Sequence, residues 1–289
     1  IIKKKNNLSI LGYFNNNKLL GIAGIIKQNN WEKKSSKNYF LSLLVKDKSL
    51  KKEITFSFFN FIYTKIKPNL FVCSGFNKKI KKVYKKIGKI IKFSHFYIYN
   101  DKFKNGLSKN LNKMSIKEKD KINNIKIEET ISLSKTPYSK YNPTKSKIYF
   151  INKYIKNPFY KYTFLKIKKD GKTIFFFVVR KIKIKNKSKI IRIVDFYGNL
   201  DKKIYVGNII KKYLEVNNFE YIDFLCIGLK KHLLKHIGFN LKKTNQLIPN
   251  YFEPFIKKNI TLELCIFINN FKDCIFFKGD GDQDRPKLI

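Results

Sequence analysis

Two aspartates are set into apolar, strand-like runs, where a bare carboxylate costs several kcal/mol unless it is paired. Asp195 lies in Val194-Asp195-Phe196-Tyr197-Gly198, and Asp223 in Tyr221-Ile222-Asp223-Phe224. Each needs a partner, a capping role or a chemical task such as general base, and the residues alone leave these open. Further on, Ile248-Pro249-Asn250-Tyr251-Phe252-Glu253-Pro254-Phe255 packs prolines and aromatics around polar groups. That composition suits a rigid pocket wall, with Asn250, Tyr251 and Glu253 as candidate substrate-binding residues. Near the end, Asp280, Asp282 and Asp284 alternate beside Arg285. Alternating acids also open a calcium loop, but such a loop wants Gly at its sixth position and Glu at its twelfth. Arg285 stands at the sixth here. The acids better suit a cationic partner, the chain's own lysines, or the hydroxyls and amine of an acceptor.

A second set lies on a helix-like stretch: Asn77, Ile80, Tyr84 and Gly88, spaced by three, four and four. Ile80, Val83, Tyr84 and Ile87 make an apolar stripe at helical spacing, which packing alone would explain. Lys78, Lys79, Lys81, Lys82, Lys85 and Lys86 cover the other faces, either as a solvated surface or as a cradle for a phosphorylated ligand. His232 and His236 are four apart with no carboxylate near them, which fits a surface helix pair and predicts no metal. Cys73, Cys226, Cys265 and Cys274 form no CxxC pair. Reduced, buried thiols and a cytoplasmic location are expected.

The elements that must carry these groups occur twice. Phe71-Val-Cys-Ser-Gly75 and Phe224-Leu-Cys-Ile-Gly228 are short apolar runs ending in Gly, each leading into a Lys-rich helix closed by Ile-Gly. Helical stretches precede both, at 50–66 and 202–216, and strands precede those, at 39–45 and 190–195. Earlier still come hairpins, 9–14 with 19–26 around Asn15-Asn16-Asn17, and 162–168 with 173–180 around Asp170-Gly171. A period of this length means two copies of one domain. Residues 1–99 form the first, opening on Ile1-Ile2-Lys3 as an N-terminally truncated copy would, and residues 148–289 form the second with its acidic tail. Between them, 100–147 is rich in Lys, Asn and Ser and reads as a linker or lid with one helix near 115–128.

The strand followed by Asn77-x-x-Ile80-x-x-x-Tyr84-x-x-x-Gly88 resembles the second conserved motif of GNAT-type N-acetyltransferases. That resemblance implies a mixed-sheet α/β fold, here two tandem GNAT-like domains, with an acyl-CoA such as acetyl-CoA lying between parted strands near 39–45 and 70–74. It implies that Leu43, Val45, Lys48, Ser49, Lys51, Lys52 and Asn77 hold the cofactor, and that a strand N–H near Leu43 or Leu44 polarises the thioester. Tyr84 then protonates the departing thiolate, and Asp195 or Asp223 serves as base. The family's glycine-rich turn has no counterpart in Lys46–Lys52, and Leu234 stands at the place of Tyr84 in the second copy. Residues 148–289 look like tandem GNAT-like proteins found with bacterial surface-polysaccharide biosynthesis. A sugar or lipid-linked sugar acceptor follows from that likeness.

Composition closes off other classes. The chain has 289 residues, 43% of them hydrophobic and 16% aromatic, which excludes a disordered basic tail. Its formal charge of +43 is carried almost wholly by lysine, with arginine only at Arg180, Arg192 and Arg285. Nucleic-acid readers lean on the planar fork of arginine, so nucleic acid is not the expected partner. No apolar run has the length of a membrane helix, although the charge could hold the chain to an anionic surface. Two rivals remain: a GNAT-like module without catalysis that binds a glycan or a protein partner, and a transferase that draws its acyl group from charged tRNA.

Overall fold

A computed structural model of the chain describes residues 8–27, 37–47, 53–112, 124–133, 141–184, 188–200, 204–252, 255–271 and 273–280. They form two compact units: Ile1–Lys92 with Leu262–Asp273, and Phe93–Thr261 with Cys274–Asp280.

The first unit opens with a hairpin, β1 (Leu8–Asn15) and β2 (Lys18–Lys27), turned by Asn16 and Asn17 at φ 45° and 62°. Two consecutive left-handed residues give the turn whose twist matches paired strands, and Asn tolerates that conformation best after Gly. Next come β3 (Asn38–Lys46), α1 (Glu53–Phe61) running into a π-helical turn at Ile62–Ile66, and β4 (Leu70–Ser74). The helix α2 (Lys78–Ile87) and the short β5 (Lys89–Lys92) follow. The next strand, β6 (Ser94–Tyr99), belongs to the second unit.

That second unit continues with β7 (Ile125–Thr130) and α3 (Lys147–Phe150), which runs into a π-helical turn at Ile151–Ile155. The hairpin of β8 (Thr163–Lys169) and β9 (Lys172–Ile184) turns on Asp170 and Gly171 at φ 50° and 75°. Then come β10 (Ser188–Gly198), α4 (Gly207–Val216), β11 (Tyr221–Ile227), α5 (Lys231–His236) and β12 (Asn240–Leu241). A small ribbon pairs β13 (Tyr251–Phe252) with β14 (Phe255–Ile256). The chain then supplies β15 (Glu263–Asn269) to the first unit and returns to the second with β16 (Phe276–Phe277).

The duplication is visible in the sheets themselves. The first runs β1-β2-β3-β4-β15-β5, and the second runs β8-β9-β10-β11-β6-β12 with β7 added at the β8 edge. From β1 and from β8 the successive pairings are antiparallel, antiparallel, parallel, antiparallel, antiparallel. In both, the fifth place is held by a strand remote in sequence from its neighbours. Phe96, Tyr97 and Ile98 are buried on both faces of β6, which suits a strand flanked on both sides. The structure therefore draws its units differently from a sequential cut at 99 and 148. Much of 100–147 is also built into the second unit. Glu220 accepts the amides of Leu107 and Ser108 at 2.9 and 2.7 Å. The helix expected near 115–128 is replaced at Ile125–Thr130 by a strand, whose Ile125 and Ile127 pack on the core; residues 113–123 lie outside the described part.

The cores sit on corresponding faces. Leu11, Ala23 and Leu41 meet Phe58 and Phe59 of α1 in the first unit, and Phe175, Phe177, Phe196 and Phe224 meet Ile210 and Leu214 of α4 in the second. The opposite face of the second sheet is covered by Phe150, whose ring lies 5.1 Å from Phe176 and 5.3 Å from Tyr197. The matching residues of the first sheet, Ile10, Leu43 and Val45, are about half exposed.

Gly228 closes β11 at φ +88°, and a Cβ there would fall on the carbonyl oxygen of Cys274. Gly228→Ala should cost about 2–3 kcal/mol in equilibrium denaturation, from left-handed backbone strain plus the clash. An effect within 0.5 kcal/mol of zero would contradict this packing of the 274–280 segment.

Candidate functional site

The feature common to both units is a third strand that bulges and runs on past its last pairing with the fourth. In the first, the parallel ladder of β3 with β4 runs from Asn38–Leu70 to Leu41–Cys73 and stops. The register of β3 against β2 slips at the next residue, Ser42. A bulge adds one residue on one side and bends the strand away from its neighbour. In the second, the ladder of β10 with β11 ends at Ile193–Phe224, and the register against β9 slips at Val194.

At the first opening, Leu43 and Val45 lie on the part of β3 that has left β4. Tyr84 comes from the buried stripe of α2, where its ring packs edge-on to Phe59, Phe76 and Phe267 at 4.9–6.1 Å. It neighbours Cys73, the last β4 residue paired with β3. Burial, with the neighbouring Cys73, raises the Tyr84 phenol well above its usual range; burial likewise pushes the Cys73 thiol up to about 12. Both remain protonated at neutral pH. Asn77 caps α2: its Oδ1 accepts the amide of Ile80 at 3.0 Å, so that side chain is engaged by its own helix. Lys48, Ser49, Lys51 and Lys52 fall outside the described residues.

At the second opening, Asp195 follows the bulge and is fully buried. Lys145 Nζ lies 2.6 Å from its Oδ1 and 2.8 Å from Asp280 Oδ1. Tyr154 donates to Asp195 Oδ2 at 2.7 Å, Tyr149 donates to the same oxygen at 3.3 Å, and the Phe196 amide donates to Oδ1 at 2.8 Å. Lys153 Nζ reaches the Tyr149 hydroxyl at 3.0 Å. Burial raises the Asp195 carboxyl, and the Asp280 charge adds to this against the pull of Lys145. Burial would lower Lys145, but Asp195 and Asp280 together hold it above its ordinary value and therefore charged. The phenols of Tyr149 and Tyr154 are raised by burial and by Asp195, and stay donors.

Asp223 is held otherwise. Arg192 grips it with two bonds, Nε to Oδ1 at 3.0 Å and Nη2 to Oδ2 at 2.6 Å, and His95 Nε2 donates to Oδ2 at 2.9 Å. Two further donors of Arg192 meet the carbonyls of Asn250 and Pro249 at 2.8 and 3.2 Å, and its guanidinium stacks on Phe252 at 4.5 Å. Burial alone would raise Asp223, but Arg192 and His95 outweigh it and hold the carboxyl at about 2. A carboxylate so strongly acidic and so fully bonded is an anchor, not a proton acceptor. Asn250 is buried with its amide on the Ile260 carbonyl at 2.5 Å, and Tyr251 pairs with Ile256. Both build the wall around Arg192. Glu253, Asp282, Asp284 and Arg285 lie outside the described residues.

The structure thus gives Tyr84 to the first unit and Asp195, Asp223 and Asp280 to the second. Lys145, Tyr149, Tyr154, Arg192 and His95 are site residues that the motif reading passed over. Arg192 had a signal, being one of three arginines and lying in the same apolar run as Asp195.

No protein-family model matches the chain, and no curated protein matches it. Among solved structures, it is similar to a conserved protein of unknown function from Enterococcus faecalis, a probable N-acyltransferase. The two share 8% identity over 89% of this chain and 62% of that one, at TM-score 0.49. A GCN5-related N-acetyltransferase from Anabaena variabilis has 9% identity over 90% and 62%, at TM-score 0.46. Eis1 from Mycobacterium abscessus has 9% identity over 74% and 55%, at TM-score 0.40. The chain spans less than two thirds of each. What the chain's own coordinates define is a mixed α/β protein of two units with one shared strand order.

Proposed function

We propose that the chain is an acyl-CoA-dependent acyltransferase whose donor binds in the first unit, between β3 and β4 beyond the Leu41–Cys73 pair. The observation that carries this is that β3 runs on past its last pairing with β4, through the bulge at Ser42, and leaves Leu43 and Val45 half exposed there. A backbone edge of this kind offers amide N–H and C=O groups to the amides of a pantetheine arm, and Leu43 and Val45 offer apolar contact. A strand N–H at 43–45 polarises the thioester carbonyl toward attack by an amine or hydroxyl. Tyr84, protonated and beside the strand opening, gives its proton to the departing thiolate, and the proton released by the attacking amine or hydroxyl returns to Tyr84 through solvent. The second-unit likeness noted from the sequence directs the acceptor toward a sugar or lipid-linked sugar precursor.

Calorimetric titration with acetyl-CoA should give saturable heat, and none at millimolar ligand would end this reading. Tyr84→Phe should lower kcat about 100-fold with donor affinity little changed. An unchanged kcat would leave Tyr84 as a packing residue only.

A further inference from the structure

The second opening is filled by the chain itself. Beyond Ile193–Phe224, where β10 and β11 part, β16 enters and pairs antiparallel with β11, Phe277 opposite Cys226 and Phe276 opposite Ile227. Two residues later, the Gly279 amide donates to the carbonyl of Val194, the bulged residue of β10, at 2.7 Å. One short segment, a two-residue strand followed by a turn closed by the Asp280 amide on the Phe277 carbonyl at 3.1 Å, is therefore hydrogen-bonded to both strands. Its side chains complete the fit. Phe277 stacks on Phe224 at 5.5 Å with the rings 14° from parallel, and Phe276 is fully buried. A Cβ on Gly279 would stand 2.5 Å from the Tyr154 hydroxyl and 2.6 Å from the Val194 carbonyl, so only glycine passes there. Asp280 fixes the end: Oδ2 accepts the Phe277 amide at 2.8 Å and Oδ1 meets Lys145.

We infer that residues 276–280 stand in the second unit where a donor's pantetheine arm stands in the first, so that the chain has one acyl-CoA site and not two. This rests on the acyl-CoA reading of the first unit. A pantetheine arm is a chain of two amides with apolar spacers; the 276–279 segment likewise meets one strand through the β16–β11 pairing and the other through the Gly279 amide, with Phe276 and Phe277 as its apolar part, covalently attached. The Lys145–Asp195–Asp280 cluster is then the lock on this segment, which explains why three charged groups are buried at that point.

Amide exchange on the full chain, with and without acetyl-CoA, tests the inference together with calorimetric stoichiometry. The Phe277 and Gly279 amides should exchange about 1000-fold slower than in an unstructured peptide, with acetyl-CoA leaving them unchanged and binding once per chain. Exchange at unstructured rates, loss of protection on adding acetyl-CoA, or two donors per chain would each overturn it. Absence of donor binding alongside protected amides would instead remove the acyl-CoA reading, and with it the count of one. Asp280→Asn should speed exchange of these two amides about tenfold or more while β8–β10 stay protected. Equal loss of protection throughout the unit would show that the segment is ordinary core and overturn its assignment as a filler.

Discussion

Replacing Arg192 with Met is expected to cost about 3–5 kcal/mol of stability. The change leaves Asp223 buried without its strongest partner, and it strips the Asn250 and Pro249 carbonyls of their donor. Urea denaturation measures it, and the double variant Arg192→Met/Asp223→Asn should recover part of the loss because the stranded charge is gone. The same ion pair sets an acid limit. Asp223 titrates near 2 in the folded chain against an ordinary 3.8, so its contribution of about 2 kcal/mol is complete above pH 4 and is lost as pH falls toward 2. His95 acts earlier. Burial lowers its pKa from 6.5, so the unfolded chain takes up that proton first and stability begins to fall below pH 6.5. Stability should decline through both windows in the parent, and the lower decline should flatten in Arg192→Met. A parent curve flat from pH 7 to 3 would contradict the buried charge arrangement.

Lys145→Met should cost a similar 3–5 kcal/mol, because a single ammonium is ion-paired with two buried carboxylates, Asp195 and Asp280. Methionine keeps most of the volume, so the loss reports charge and hydrogen bonding and not a cavity. The segment 276–280 should loosen first, since Asp280 loses its charged partner and keeps the Tyr149 hydroxyl only at 3.5 Å, while Asp195 retains Tyr154, Tyr149 and the Phe196 amide. Adding Asp195→Asn should return part of the stability, and a double variant no better than the single would argue against the shared ammonium.

Local chemistry made much of the fold legible. Asn16-Asn17 and Asp170-Gly171 announced hairpins, because few residues accept two successive positive φ angles, and both turns are found there. The repeated Phe-x-Cys-x-Gly strands marked β4 and β11, which occupy equivalent places in equivalent sheets. What stayed hidden is non-local. The composition of Ser94–Tyr99 calls for a strand but cannot say in which sheet, and the same holds for Glu263–Asn269. Asp195 and Asp223 were recognisable as carboxylates in need of partners. Arg192 sits within reach in sequence, but Lys145 is 50 residues from Asp195 and one of 63 basic residues. Phe277 reads as the start of a tail, since nothing in the letters shows that an opening elsewhere awaits it.

The most direct measurement is a structure of the full chain with CoA bound. The account predicts one CoA, its pantetheine arm running between residues 43–46 of β3 and the end of β4, with Phe276–Gly279 still seated between β10 and β11. CoA lying between β10 and β11 in place of that segment, or a first unit whose parted strands stay empty at saturating ligand, would contradict it.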